Sequence, residues 1–236
     1  MILFSNGCSF LTERPKDNVP TFMTKELARE YQDDFINIAM GGRGNTRIDF
    51  STKVWIEQNY SKDLFAVIGW TSSHRHDYVT DDGWKAGRIP NTDLTWRTWK
   101  TLDNLNFINR QKGWDVENNA YMQFYNHVIN LQNYFELRKI PYVMYNALPN
   151  SFYTDKIDFQ IMKNKINMTR FFNPDTSHYE FVMNEKYIVS LDDPHPSIEG
   201  HKLWAKQLKE YIDVNNLRTI TSVSYTHLTL PTTLLV

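Results

Sequence analysis

A single cysteine, Cys8, occurs in 236 residues. No internal disulfide is therefore possible, which fits a reducing compartment as well as any chain that needs no staple. An excess of one charge sign is missing too: 26 Lys and Arg stand against 27 Asp and Glu, with no dense basic run. Without such a run there is no electrostatic footprint for nucleic acid or an anionic membrane, and neither is expected as a partner. No stretch is apolar for the length of a membrane span. The N-terminus shows no basic region, long apolar region and cleavage site of a signal peptide. The expected location is the cytoplasm, and a virion component or a protein released by lysis would look the same. His74-x-His76-Asp77, with Asp81 and Asp82 nearby, lacks cysteines and any spaced partner pair. Solvated loop polarity is the simpler reading, and no metal is expected.

What the chain does have is enough apolar content, 41%, to bury the core of one domain. Short apolar runs at residues 2–4, 35–39, 64–69, 140–145 and 186–191 read as strands. Helical spacing predicts helices near 22–31, 46–60, 114–139 and 197–214, with another near 159–167 inside an otherwise unassigned 149–177. This alternation predicts an α/β fold: a three-layer α/β/α sandwich with a doubly wound parallel sheet of about five strands. The run at 64–69 is continuous, as in a strand covered on both faces.

Residues 70–113 break the rhythm as an insertion holding Trp70, Trp84, Trp96 and Trp99. Following the third strand, it is expected over the carboxyl edge of the sheet, where a long loop is more often functional than idle. Its aromatic faces could stack on sugar rings or form a private mini-core. Residues 222–236 carry no Asp, Glu, Lys or Arg and are rich in Thr and Leu. That shift looks like a translated vector or adaptor, with an edge strand or disordered tail as the alternative. The single domain is therefore expected to span 1–221, and His227 receives no role.

Two segments carry chemistry. At the start, residues 2–4 lead into Asn6-Gly7-Cys8-Ser9, a strand followed by a glycine turn. Such a turn presents Ser9 at the sheet edge where ligands bind, as a candidate nucleophile or as an ordinary turn residue. Near the end, Asp192-Asp193-Pro194-His195-Pro196 places a carboxylate three residues before a histidine held between two prolines. Asp192 can then orient the ring, making His195 a candidate base. The alternative is a helix start capped by Ser197, with His195 merely adjacent.

Together with Gly41-Gly42-Arg43-Gly44-Asn45 after the second strand and Gly69-Trp70-Thr71-Ser72 after the third, these blocks resemble the SGNH, or GDSL-like, hydrolase family over roughly residues 1–214. The resemblance implies that fold, which is flavodoxin-like, and a Ser9, His195 and Asp192 triad. It also implies an oxyanion hole from the backbone N–H groups of Ser9 and Gly42, with Gly41 and Gly44 as neighbouring registers. The first block reads Gly-Cys-Ser where the family usually has Gly-Asp-Ser. In the third, Thr71 stands where the family has an oxyanion-binding asparagine, so the enzyme could be slow, could use Thr71 or could recruit Asn45 instead.

The implied activity is hydrolysis of small acyl esters, O-acetyl carbohydrate esters among them, through an acyl-enzyme and without a cofactor. A glycan-binding module on the same scaffold and an acyltransferase with the same triad are the alternatives. The partner is then a small-molecule or carbohydrate ester; the oligomeric state is not readable. Trp70, Asn45 and Arg43 are candidate substrate contacts. Arg43, Arg47, Arg75 and Arg88 could meet an anionic or sugar substrate, with surface solvation as the simpler expectation, and His201 is expected to make a structural hydrogen bond.

Overall fold

A computed structural model describes residues 1–61, 63–80, 95–100, 116–150, 152 and 156–219. An unbroken apolar strand is stable only where both of its faces are covered. The strand β3 (Leu64–Trp70) is buried along its whole length. Successive side chains alternate between faces, so Leu64, Ala66, Ile68 and Trp70 enter one hydrophobic core while Phe65 and Val67 enter another. In β1 (Ile2–Asn6), Phe4 and Leu3 divide in the same way. The first core is closed by α2 (Asn45–Asn59), α3 (Val116–Arg138) and α4 (Ile157–Lys163), through Ile48, Ile56, Phe124, Leu131, Phe135 and Phe159. The second is closed by α1 (Met23–Tyr31), α5 (His178–Asn184) and α6 (Ile198–Val214), through Met23, Leu27, Val182, Trp204, Leu208 and Ile212. Three layers result, as the alternating pattern predicts.

The sheet is parallel throughout, in the order β2 (Asp34–Asn37), β1, β3, β6 (Tyr142–Asn146), β7 (Phe171–Phe172). From β1 the chain passes to one side to form β2 and then recrosses to form β3. The carboxyl ends of β1 and β3 are thus the topological switch point, where an open α/β sheet leaves a crevice. Glycine lets the two strand ends close up there. A Cβ at Gly7 would stand 2.8 Å from the carbonyl oxygen of Gly69, and one at Gly69 would stand 2.8 Å from Tyr145 Oη.

The fifth strand is not where the sequence suggests. Residues 186–191 make one antiparallel bridge, Ile188 to Pro196, because they fold back on the histidine loop: Val189 N donates to His195 O and Ser197 N to Tyr187 O. The sheet edge is instead the two-residue β7, too short to show a period. Within 70–113, β4 (Arg75–Thr80) and β5 (Thr95–Lys100) pair as an antiparallel ribbon. Trp84, Arg88, Asp81, Asp82, the side chains of Trp96 and Trp99, and the whole of 222–236 with His227 lie outside the described residues. Among the described residues, no helix is long and apolar enough to cross a membrane.

Candidate active site

The turn that presents Ser9 is anchored by the last residue of β1. Asn6 Nδ2 donates to Ile48 O at 3.0 Å, Ser51 Oγ at 2.8 Å and Thr52 Oγ1 at 2.9 Å, all on α2. Its Oδ1 accepts from Gly7 N at 2.8 Å and Arg43 Nη1 at 2.9 Å. A buried amide bonded on both ends fixes where the strand stops. Beyond it, Gly7 and Cys8 turn into a short 3-10 helix, Ser9–Leu11. Ser9 is its first residue and is partly exposed, whereas Cys8 is buried. Burial pushes the Cys8 thiol up, and the Arg75 charge opposes that effect.

His195 lies in the loop before α6, which Ser197 caps by accepting from Gly200 N at 3.2 Å. The cap and the contact with Ser9 coexist: Ser9 Oγ is 2.8 Å from His195 Nε2, across 186 residues of sequence. The other ring nitrogen, Nδ1, is 2.5 Å from Asp193 Oδ1. The same carboxylate oxygen accepts from the His195 backbone N–H at 3.2 Å, and Phe10 packs on the imidazole at 5.1 Å between centroids. Burial pulls the His195 pKa down and the Asp193 hydrogen bond offsets part of this, leaving it below the ordinary value. For Asp193, burial acts upward, but the bonds from His195 and the nearby charges outweigh it and hold the carboxyl below its usual range.

The carboxylate on the ring is therefore Asp193 rather than Asp192, which is exposed. In Asp193-Pro194-His195 the proline restricts φ, and the aspartate two positions back reaches both the backbone N–H and the ring of His195, as Asx-type turns do. Arg14, which no local motif singles out, holds Asp193 Oδ2 through Nη2 and bonds Asp17 Oδ2 through Nε at 2.8 Å.

On the other side of Ser9 lies the glycine turn. A Cβ on Gly41 would come 3.7 Å from Ser9 Cβ. Gly42 has φ of +75°, a left-handed value suited to glycine, with open space around it. Gly44 N donates to Asp77 Oδ1 at 3.0 Å and Arg47 N to Asp77 Oδ2 at 2.8 Å. Asp77, on β4, thus caps α2, whereas the N–H groups of Gly41 and Gly42 have no acceptor among the described residues.

Three candidate substrate contacts are interior. Trp70 is fully buried, with Nε1 3.4 Å from Met144 Sδ. Arg43 is fully buried beneath α2, and Arg47 nearly so. The Asn45 side chain is bonded to the backbone of Thr71, Nδ2 to O at 3.0 Å and Oδ1 from N at 2.9 Å. Thr71 itself is buried, and its hydroxyl has no hydrogen-bond partner among the described residues. At the carboxyl ends of β3 and β6 a cleft of about 510 Å³ opens, lined by Ser72, Ser73, His74, Tyr121, Asn150, Pro174 and others.

No protein-family model matches the sequence, and no curated protein does. Solved structures do match. The esterase EstA from Pseudoalteromonas sp., crystallised with monoethylphosphonate inhibition, has a TM-score of 0.51 at 10% identity, covering 90% of this chain and 97% of that one. A GDSL-like lipase from Parabacteroides merdae gives 0.47 at 13%, covering 92% and 95%. An acetyl xylan esterase from Geobacillus stearothermophilus gives 0.46 at 12%, covering 94% and 97%. At such identities the likeness is one of fold alone, the three-layer α/β/α sandwich that this chain shares with the EstA esterase.

Proposed function

We propose that the chain is a serine hydrolase of small acyl esters in which Ser9 is the nucleophile, His195 the general base and acid, and Asp193 the carboxylate that orients the ring. One observation carries this reading: the continuous line Ser9 Oγ, His195 Nε2, His195 Nδ1, Asp193 Oδ1, with spacings of 2.8 and 2.5 Å, at the carboxyl end of β1. With Asp193 accepting the Nδ1 proton, the lone pair of Nε2 is turned to the Ser9 hydroxyl. The lowered His195 pKa keeps that nitrogen unprotonated at neutral pH.

In acylation, Ser9 Oγ bonds to the ester carbonyl carbon as its proton passes to Nε2. The oxyanion is received by the backbone N–H groups of Ser9 and Gly42. Collapse breaks the bond to the alcohol oxygen, which leaves with the proton from His195. Water then repeats the sequence on the acyl-enzyme, so that ester and water become acid and alcohol.

A fluorophosphonate probe tests the reading, since the EstA esterase of similar fold is inhibited by monoethylphosphonate. Labelling of the wild type and not of Ser9→Ala is expected, together with turnover of p-nitrophenyl acetate. Absence of labelling would remove the hydrolase and leave the glycan-binding module. A series of p-nitrophenyl acyl chains and acetylated sugars then narrows the acyl group and the alcohol.

A further inference from the structure

The oxyanion side of the proposed site has two backbone donors and lacks the asparagine side chain that the third block usually brings. Thr71, in that place, is fully buried, and the Asn45 amide is engaged by the Thr71 backbone. Another donor is present four residues beyond Thr71. Arg75 opens β4, and its backbone carbonyl lies against the start of α2: a Cβ on Gly44 would stand 2.7 Å from it. Its guanidinium reaches back over the glycine turn, with Nη1 3.5 Å from the carbonyl oxygen of Arg43, the residue after Gly42.

We propose that the Arg75 guanidinium is the third oxyanion donor, taking the place of the missing asparagine.

This rests on the hydrolase reading above, and four observations support it. The group lies 3.5 Å from the carbonyl oxygen of the residue that follows Gly42, and its charge acts on Cys8, the residue that precedes Ser9. Arg75 is partly exposed, unlike Arg43 and Arg47, and so can meet a ligand. Its guanidinium makes only the one long bond and no ion pair among the described residues, leaving most of its five N–H donors uncommitted. The neighbouring carboxylate, Asp77, accepts from the N–H groups of Gly44 and Arg47 at the start of α2.

Arg43 and Arg47 are buried beside the turn, and Nε of each, with Nη2 of Arg43, has no partner among the described residues. Their charge adds to that of Arg75 and to the positive end of α2. Donors fixed in advance of the charge they stabilise need no reorganisation as it develops.

The test uses full-length Arg75→Ala and Arg75→Lys, each checked for a wild-type melting temperature, with p-nitrophenyl acetate and p-nitrophenyl succinate as neutral and anionic acyl donors. For both esters kcat is expected to fall about a hundredfold or more in Arg75→Ala, with KM changed by less than about threefold. Arg75→Lys should retain part of the rate, and millimolar guanidinium ion should restore part of it to Arg75→Ala alone. Normal turnover by Arg75→Ala with Ser9 still labelled by fluorophosphonate would overturn the oxyanion role and leave the hydrolase intact. A rise in KM confined to the succinate would overturn it too, making Arg75 a substrate-anion contact. A wild type that fails to label removes both proposals.

Discussion

Asp193 Oδ1 takes both the backbone N–H and the ring Nδ1–H of His195, at 3.2 and 2.5 Å, from two residues away in the same loop. One oxygen thus fixes the position of the histidine and its tautomer. Asp193→Asn would present an amide whose N–H can reverse the tautomer, and kcat is expected to fall by about ten-thousandfold. Asp192→Asn, on the exposed neighbour, should stay within about twofold of wild type. Steady-state kinetics of the two variants separates the adjacent aspartates; equal losses would contradict the assignment of Asp193.

Arg14 holds the remaining oxygen of Asp193 and lies close enough to His195 for its charge to lower the ring pKa. Activity that needs neutral His195 rises with pH through that pKa, so the acid limb of kcat/KM is expected below the ordinary histidine value of about 6.5. Removing the Arg14 charge lets the imidazolium form more readily. In Arg14→Ala the acid limb should therefore move to higher pH, with a loss of several-fold in kcat as Asp193 gains freedom. A pH–rate profile of the variant with its limb unmoved would show that Arg14 only closes the loop.

The parts of this site that are legible in the sequence are those that local pattern fixes. The strand at 64–69 is readable because burial on two faces demands an unbroken apolar run, and Ser9 because it follows a strand and a glycine. Which of two adjacent aspartates turns inward is set by Pro194 and by Arg14, 179 residues away from Asp193. No pattern within the Asp192-Asp193 segment reports that contact. Arg43 and Arg47 read as surface charges because burying a guanidinium is ordinarily expensive; their burial follows from the packing of α2 onto β1. Asp77 reads as loop polarity because its partners, the first N–H groups of α2, lie 33 and 30 residues before it. β7 escapes notice because two residues carry no alternation.

Asn6 has five hydrogen-bonding partners, all buried, three of which, Ile48, Ser51 and Thr52, join β1 to α2. Asn6→Ala leaves the Arg43 guanidinium without an acceptor for Nη1 other than Ser51 Oγ at 3.3 Å. A loss of about 2–4 kcal/mol in unfolding free energy is expected from the stranded buried donors, measurable by urea denaturation. A stability within about 0.5 kcal/mol of wild type would mean that water replaces the amide.

Behind the loop that carries His195, His178 and His201 are buried, and neither ring nitrogen of either has a hydrogen-bond partner among the described residues. His178 stacks on Trp204 at 4.8 Å and lies 5.6 Å from His201. Burial pushes His201 down to about 3, with the His195 charge adding to the effect, and drives His178 well below the ordinary value. Both are neutral in the folded protein, whereas in the unfolded chain they titrate near 6.5. Between about 6.5 and about 3 the unfolded state therefore binds more protons, so stability is full above pH 6.5 and falls as the pH is lowered. For His201 alone the loss at pH 4 is on the order of 3 kcal/mol, to which the carboxylates depressed in the folded state add as they begin to protonate in the unfolded chain below about pH 5. Melting temperatures measured from pH 7 to pH 4 should fall steeply for the wild type and less steeply for His201→Asn, which cannot take up a proton. Parallel slopes for the two proteins would place the acid sensitivity elsewhere.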